Sequence, residues 1–230
     1  MKSETLKQIQ TDRREKRPVV LVTNLKSGQE QLVYPDDLKT KDTNLELWTA
    51  AERAQRMDKS QTITIDGDDL FLHVFNAPLR MIIVGAVHIA QPLALIASLT
   101  EFDVTIVDPR RSFATPERFP RVKILHQWPD KGLQSLSPDR RTAVVTLTHD
   151  PKLDDAALSI ALKSTAFYIG ALGSKKTHDA RLKRLNQQNF NDTELNRIHG
   201  PVGLSIHATS PAEIAISIMG EVVTQLRTNW

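Results

Sequence analysis

The fold of this chain is decided by the stretch Met81-Ile82-Ile83-Val84-Gly85-Ala86-Val87-His88-Ile89-Ala90. Its first four residues are a continuous apolar run, which is typical of a parallel strand buried on both faces. Gly85 follows at once, as at a tight turn from a strand into a helix. The apolar face of the next helix is predicted to consist of Ile89, Leu93, Ile96 and Leu99. The stretch therefore indicates the opening unit of an α/β domain.

The same order of strand, turn and helix repeats after this stretch. The second to fifth strands are predicted at the apolar runs 104–107, 122–125, 143–147 and 166–169. Helix starts are predicted where a capping residue precedes proline, at Thr115-Pro116, Asp150-Pro151 and Ser210-Pro211. Alternating strands and helices imply right-handed crossovers in a parallel sheet. We predict an α/β fold, a Rossmann-like parallel sheet with helices on both faces, over residues 79–230.

A smaller α+β domain is predicted before it, over residues 1–78. Two β-rich runs flank Asp66-Gly67, which is a hairpin signal because glycine supplies the positive φ that tight turns require. Residues 45–57 have the composition of a helix. Pro78 marks the boundary, since proline cannot continue a ladder of hydrogen bonds. We expect the segment up to Arg17 to be flexible.

Composition excludes several classes of protein. Hydrophobic residues make up 40% and charged residues 25% of the chain, and no apolar stretch approaches the ~18 residues of a spanning helix. The first 17 residues lack the apolar region of a secretory signal. We expect a cytoplasmic protein with no membrane span.

Cysteine is absent, and the net charge is only +3. The lack of cysteine excludes disulfides, cysteine-bound zinc, a cysteine nucleophile and a persulfide carried by this chain. The basic run at residues 13–17 has no interleaved aromatic residues. It is therefore interpreted as a solvated tail, and no nucleic-acid partner is expected.

The first group of candidate site residues follows the first two strands of the larger domain: Gly85, Ala86, Val87, His88, Asp108 and Arg110. In a dinucleotide site, three glycines make the turn, admit the pyrophosphate and allow close helix packing, and an acidic residue about 20 positions on binds a ribose. Here Gly85, Val87 and Ala90 occupy the glycine positions, and Val87 obstructs the phosphates. Asp108 is either the ribose ligand or a strand-end residue that accepts from local N–H groups.

Two further groups follow the fourth and fifth strands. His149 precedes Asp150, which is interpreted as a helix cap, and His149 itself has no capping role. The other group is Gly170, Gly173, Ser174, Lys175, Lys176 and His178. A helix N-terminus favours anions and disfavours cations, so two lysines there indicate an anionic ligand. A third glycine-containing loop, at residues 197–203, is interpreted as a structural turn.

Together these segments resemble the C-terminal domain of the XdhC/CoxI family, accessory proteins of xanthine dehydrogenase and related molybdenum hydroxylases. The resemblance covers about residues 70–230 and rests on residues 84–91, 107–110, 148–154, 168–178, 198–204 and 210–214. It implies a chaperone that binds the molybdenum cofactor, a molybdopterin, and assists its sulfuration by a cysteine desulfurase. It further implies delivery to an apo molybdenum hydroxylase and a homodimeric protein without turnover of its own.

The resemblance also implies where the cofactor binds. Its phosphate is expected near residues 170–176 and its pterin and dithiolene near residues 85–88, with Asp108, Arg110 and His149 lining the crevice. Two departures are evident. The Gly-rich, often Cys-containing segment of the family's N-terminal domain is missing, and Val87 stands where many members have glycine. A nicotinamide-dependent, NAD(P)-binding oxidoreductase and a partner-binding scaffold remain as alternatives.

Overall fold

The structure, a computed structural model, describes residues 2–35 and 44–228. Its residues fall into two compact units, the first ending at Ala77 and the second beginning at Pro78. The elements of the first unit are α1 (Ser3–Arg14), β1 (Val19–Asn24), β2 (Glu30–Val33), α2 (Leu45–Met57), β3 (Gln61–Ile65) and β4 (Asp68–Phe75). Its four strands form an antiparallel sheet in the order β2-β1-β4-β3.

The predicted hairpin of the first unit is confirmed. Asp66 and Gly67 join β3 to β4, and both have positive φ, 52° and 81°. Positive φ at both central residues is the requirement of a type I′ turn, whose twist matches that of the strands. Helix α2 begins after Asn44, whose side chain accepts from the N–H of Leu47, and its buried residues pack on β1 and β4.

The prediction of a flexible segment up to Arg17 is wrong. Residues 3–14 form α1, which buries Ile9 against Val19 and Leu21 of β1. Asp12 is buried on the same side of the helix and accepts a hydrogen bond from the hydroxyl of Tyr34 at 2.9 Å. The basic residues of the segment are exposed, so a basic composition did not prevent ordered packing.

The described residues of the second unit, up to residue 228, form six strands and six helices. These are β5 (Arg80–Val84), α3 (Ala90–Leu99), β6 (Asp103–Val107), β7 (Lys123–Leu125), α4 (Pro129–Leu136), β8 (Thr142–Thr146), α5 (Pro151–Lys163), β9 (Tyr168–Ala171), α6 (Lys175–Asn186), α7 (Asp192–Leu195), β10 (Ile198–His199) and α8 (Pro211–Thr228). The strands are all parallel, in the order β10-β9-β8-β5-β6-β7. From β5 the chain first builds one side of the sheet and then returns to β8 on the other side.

Helices cover both faces of this sheet, as predicted. Ile82 and Val84 of β5 point into a core with Leu158 and Ala161 of α5, and the alternate residues of β5 face the other side. Helices α3 and α8 pack together and against the sheet. The order of the strands places a topological switch point between β5 and β8, where ligands of open α/β sheets bind.

Two predictions about local structure are wrong. The buried residues of α3 are Ala90, Leu93, Ala94 and Ala97, whereas Leu99 is 75% exposed. Small alanines let α3 approach the sheet closely, so the face of the helix was shifted from the one that the larger side chains indicated. No helix begins at Thr115-Pro116, because the chain makes only turns there before Pro120, which cannot continue a helix.

Helix caps were predicted more accurately than the outer strands. Asp150 caps α5 through the N–H of Lys152, and Ser210 and Glu213 form the reciprocal bonds of a capping box at α8. The fifth strand lies two residues later than predicted, at Tyr168–Ala171. In the described part of the chain, none of the helices has the length and apolar character needed to cross a membrane.

Candidate functional site

Two loops approach each other closely at the switch point between β5 and β8. Gly85 follows β5 with a φ of 104°, and a side chain there would place its Cβ 2.6 Å from Cγ2 of Thr148. Glycine is therefore required both by the backbone conformation and by the neighbouring loop. The close approach brings the candidate segments 85–88 and 148–150 to the same place.

The carboxylate of Asp108 is buried and fully hydrogen-bonded. Oδ1 accepts from Nε and the backbone N–H of Arg110, each at 2.9 Å, while Oδ2 accepts from Nη2 of Arg110 at 2.7 Å and from the N–H of Ala86 at 2.8 Å. Burial alone raises the pKa of Asp108, but these bonds lower it below its usual value. The pKa of Arg110 is raised by its bonds to Asp108. These bonds support the structural one of the two roles considered for Asp108, because they fix Arg110 and the turn after Gly85.

Arg118 holds the same turn from the other side, and sequence reasoning missed it. Nη1 of Arg118 donates to the carbonyl oxygen of Ala86 at 2.9 Å, and Nη2 donates to the Gln91 side chain at 3.3 Å. A largely apolar pocket of about 590 Å³ lies beside these residues, between α3 and residues 117–122. An arginine in a segment of turns gave no signal in the sequence.

The loop after β8 is fixed by Asp154. Its Oδ1 accepts from the hydroxyl of Thr148 at 2.6 Å and from the N–H of Thr148 at 3.2 Å. His149 follows with a positive φ of 61° and an exposed side chain. A non-glycine residue in this conformation is uncommon and is characteristic of sites where the surroundings impose it. The structure thus turns His149 toward solvent at the rim of the crevice.

The loop after β9 leads into α6 with the predicted anion-binding features. Ser174 caps the helix by accepting from the N–H of Thr177 at 3.2 Å. Lys175 and Lys176 are exposed in the first turn, which contains no acidic residue. Within the described part of the chain, the backbone N–H groups of these two lysines have no acceptor. The positive end of α6 is therefore open to an anion.

A buried ionic pair lies beneath this helix start. Arg181 and Asp154 are each 2% exposed, and Nη2 of Arg181 is 3.8 Å from Oδ2 of Asp154. Nη2 also donates to the carbonyl oxygen of Leu172 at 2.7 Å. Burial raises the pKa of Asp154 and lowers the pKa of Arg181. The pair connects the loop after β8 to the loop after β9. Arg181 and Leu185 are the buried residues of α6, and an arginine on this stripe was the overlooked signal.

Gly170 and His178 lie deeper than the other residues of their motif. A Cβ on Gly170 would fall 2.6 Å from Cγ2 of Val202 and 2.8 Å from the ring of Tyr168, so glycine there serves packing. His178 lies against Gly200, its Nδ1 is buried, and among the described residues this atom has no hydrogen-bond partner. Burial lowers the pKa of His178.

A second set of polar groups surrounds the partly buried Glu221, and its members bond to one another. Glu221 of α8 accepts from the hydroxyl of Tyr168 and, at 2.8 Å, from the N–H of Gly203, and Nδ1 of His199 lies 3.4 Å from its other oxygen. Burial alone raises the pKa of Glu221, but these hydrogen bonds lower it. These contacts hold loop 200–203 against the sheet. The interpretation of that loop as structural therefore agrees with its bonding.

The predicted residues fall into two neighbouring groups around the crevice. The first group surrounds the switch point and consists of Gly85, Ala86, Val87, His88, Asp108, Arg110 and His149. The second is the start of α6, with Gly173, Ser174, Lys175, Lys176 and His178. Electrostatic attraction of Arg110 by Asp150 and Asp154 shows that the loops after β6 and β8 converge.

The residues fit a phosphorylated organic cofactor better than a bare metal ion. No cluster of three or more potential metal ligands occurs in residues 2–35 and 44–228. The buried Nε and Nη1 atoms of Arg181 have no partner there, and the helix start above them offers N–H groups. Such donors suit a phosphate, whereas the metal of a molybdopterin is carried by the dithiolene of the cofactor.

Comparisons with known proteins identify the family of this chain. A family model described as the XdhC Rossmann domain matches residues 81–222. A Bacillus subtilis (strain 168) protein described as a probable subunit of xanthine dehydrogenase is 30% identical over 156 residues, which are 67% of this chain and 45% of that protein. The molybdenum cofactor insertion chaperone PaoD of Escherichia coli (strain K12) is 31% identical over 150 residues, 65% of this chain and 41% of that protein.

The chain spans less than half the length of these two relatives. A crystal structure described as a xanthine dehydrogenase from Bacillus halodurans superposes with a TM-score of 0.70 and 24% identity, covering 99% of this chain and 65% of the other. At this identity the likeness shows the fold alone.

Proposed function

The chain belongs to the XdhC family, and from this premise we propose that it is an accessory protein that binds the molybdenum cofactor for a molybdenum hydroxylase. The observation that carries the proposal is the open, cationic start of α6 beside the switch-point crevice. Relatives described as a cofactor insertion chaperone and as a probable part of xanthine dehydrogenase support the same role. The cofactor would be delivered to the apo-enzyme, and the chain itself would catalyse no turnover.

The two parts of the proposed ligand would bind to two different groups of residues. The phosphate would bind at the start of α6, near Gly173, Ser174, Lys175 and Lys176. The pterin would lie near residues 85–88, where Asp108 and Arg118 hold the turn that follows Gly85. Arg110 and His149 would line the crevice, since both lie at strand ends that face it.

Sulfuration requires a sulfur donor outside this chain. The chain has no cysteine, so it cannot carry a persulfide itself. We propose that its part is to hold the cofactor while a cysteine desulfurase supplies the sulfur, and that it acts as a homodimer. Copurification with tagged desulfurase and sedimentation of the purified protein would test these two partners separately.

The dinucleotide alternative is less favoured by the geometry. All four hydrogen-bonding positions of the Asp108 carboxylate are taken, so it cannot accept from ribose hydroxyls without losing bonds to Arg110 or Ala86. Val87 further restricts the approach of a pyrophosphate. The crevice therefore offers neither of the contacts on which NAD(P) recognition depends.

Purification from a molybdenum-replete host provides the direct test. Mass spectrometry and the fluorescence of oxidised pterin should find molybdopterin in the purified protein, and calorimetry should show tighter binding of molybdopterin than of NAD or NADP. Deletion of the gene should lower the activity and molybdenum content of a hydroxylase while its protein level is unchanged. Micromolar NAD binding without pterin binding would contradict the proposal and favour the oxidoreductase.

A further inference from the structure

The start of α6 covers a buried cation that the proposed function has not used. Arg181 lies two helical turns into α6, yet its side chain extends back to Leu172, to which Nη2 donates at 2.7 Å. A Cβ on Gly173 would lie 3.7 Å from the same nitrogen. The guanidinium therefore lies beside the loop that begins the helix. A Cβ on Gly173 would also lie 3.0 Å from Cγ2 of Thr177, so glycine there lets the loop approach both side chains closely.

This guanidinium has fewer acceptors than it has donors. Its side chain is 2% exposed, and among the described residues Nε and Nη1 have no acceptor. Asp154 lies 3.8 Å from Nη2, beyond hydrogen-bond distance, and Oδ2 of Asp154 is itself without a partner there. A buried charge is stable only when it is paired and hydrogen-bonded. Arg181 is only weakly paired, because Asp154 lies 3.8 Å away. Among the described residues, only Nη2 of its three side-chain nitrogens donates a hydrogen bond.

Other donors converge on the same place. The N–H groups of Lys175 and Lys176 point out of the helix start, and no acidic side chain lies in the first turn. His178 is not a competing cation, because burial lowers its pKa. The region thus combines the unpaired N–H groups of the helix start with the unpaired Nε and Nη1 atoms of Arg181, and among the described residues none of these donors has an acceptor.

We propose that Arg181 determines the specificity of this site for the dianion of a phosphate monoester. The inference rests on the proposed function, in which the phosphate of the cofactor binds at α6. Two phosphate oxygens would accept from the planar fork of Arg181 and the third from the helix N–H groups, a match that a carboxylate with two oxygens cannot complete. Lys175 and Lys176 add charge from the outside but no fixed geometry.

Variants with opposite expected effects test the proposal. Calorimetry with inorganic phosphate, in chloride buffer of low ionic strength, should show that Arg181→Met weakens binding about tenfold or more. Asp154→Asn removes the competing negative charge and should strengthen phosphate binding by about threefold. Arg184→Met, one turn further along and paired with Asp155, is the matched control and should bind phosphate as the parent does.

A purely structural role for Arg181 gives a different pattern. Both Arg181→Met and Asp154→Asn would then weaken phosphate binding together, and this result would overturn the proposal, as would failure of the parent protein to bind phosphate. Thermal melts accompany each titration. If Arg181→Met does not fold, Asp154→Asn decides the question alone: tighter binding supports the proposal, and equal or weaker binding overturns it.

Molybdopterin as a second probe separates this inference from the proposed function. If the parent protein binds phosphate through Arg181 but does not bind molybdopterin, the result supports the anion site and contradicts the proposed cofactor role. If the parent protein and Arg181→Met bind molybdopterin equally well, the result supports the cofactor role and overturns the assignment of Arg181.

Discussion

Arg110 donates to both carboxylate oxygens of Asp108, through Nε at 2.9 Å from Oδ1 and Nη2 at 2.7 Å from Oδ2. The two residues are only two positions apart, so this contact closes the loop after β6 on itself. With the N–H of Ala86 as a further donor, the pair also fixes the turn after β5. An acidic residue at the end of the second strand here joins two loops of the protein, and its four hydrogen-bonding positions are occupied.

This pair makes stability depend on pH in the acid range. The pKa of Asp108 is lowered in the folded protein, so its contribution is complete above the unfolded value of about 3.9 and is lost as pH falls toward the folded value. Arg110→Met should cost about 2 kcal/mol at pH 7 and less at pH 3. Urea unfolding at both pH values measures this, and an equal cost at both would contradict it.

Because all four hydrogen-bonding positions of the Asp108 carboxylate are occupied, a change at Val87 should have little effect on NAD binding. Val87→Gly recreates a glycine at the pyrophosphate position, yet we expect it to leave NAD binding weaker than millimolar because Asp108 still cannot accept from a ribose. The double variant Val87→Gly with Arg110→Ala, which releases Asp108, should bind NAD more tightly than either single variant. Calorimetry compares the four proteins. Micromolar binding by Val87→Gly alone would show that Val87 was the only obstacle.

The contact between Gly85 and Thr148 predicts a rescue. Gly85→Ala forces a side chain into a backbone with a φ of 104° and against Cγ2 of Thr148, and we expect a loss of about 3 kcal/mol. Thr148→Ser removes that methyl group but keeps the hydroxyl that donates to Asp154. Combining the two changes should restore about 1 kcal/mol.

Thermal and urea melts of the single and double variants measure the rescue. Gly28→Ala is the control, since Gly28 has a φ of 71° and no atom within 4 Å of an added Cβ, so its loss should be about 1 kcal/mol. Equal losses at Gly85 and Gly28 would show that the neighbouring loop does not constrain Gly85.

The lysines of α6 are expected to act against stability. A cation at a helix N-terminus loses up to ~1 kcal/mol to the dipole, so replacing Lys175 and Lys176 with Gln should leave the ligand-free protein equally or slightly more stable. Binding of the phosphorylated ligand should weaken about tenfold, and salt should affect the parent more than the variant. Lys183→Gln, at the favourable end of the same helix, should instead lower stability slightly.

A thermal melt and a binding titration check both effects. A double variant that melts lower than the parent while binding molybdopterin unchanged would show that these lysines are structural and that the phosphate binds elsewhere.

The fold was predicted correctly where the type of each residue in a local pattern matches its burial or its bonding in the structure. The run at residues 81–84 is buried on both faces, and Ser210 with Glu213 forms a helix cap without help from other segments. In α3 the predicted buried face was wrong, because Ala94 and Ala97 are buried and Leu99 is exposed. Apolar periodicity weights large side chains, so it cannot detect a helix that packs through its smallest residues.

The candidate site was predictable only where a motif lies within one loop. Ser174, Lys175 and Lys176 share a helix start, and the dipole argument applies to them directly. Arg118 and Arg181 act across distances of 32 and 9 residues on Ala86 and Leu172. No local pattern marks a side chain whose partner is a carbonyl oxygen elsewhere in the chain. Arg118 is found only from the folded structure, whereas the position of Arg181 on the stripe that contains Leu185 was a signal that could have been noticed.

The six-stranded sheet ends on its two shortest strands, β7 with three residues and β10 with two. An edge of this length exposes few unpaired N–H and carbonyl groups, so it offers a poor template for a strand of another molecule. Edge-to-edge joining of sheets, a common route to aggregation, is therefore suppressed in this domain. If the proposed function is correct, the short edges would also keep the domain from forming continuous sheets with the proteins that it serves.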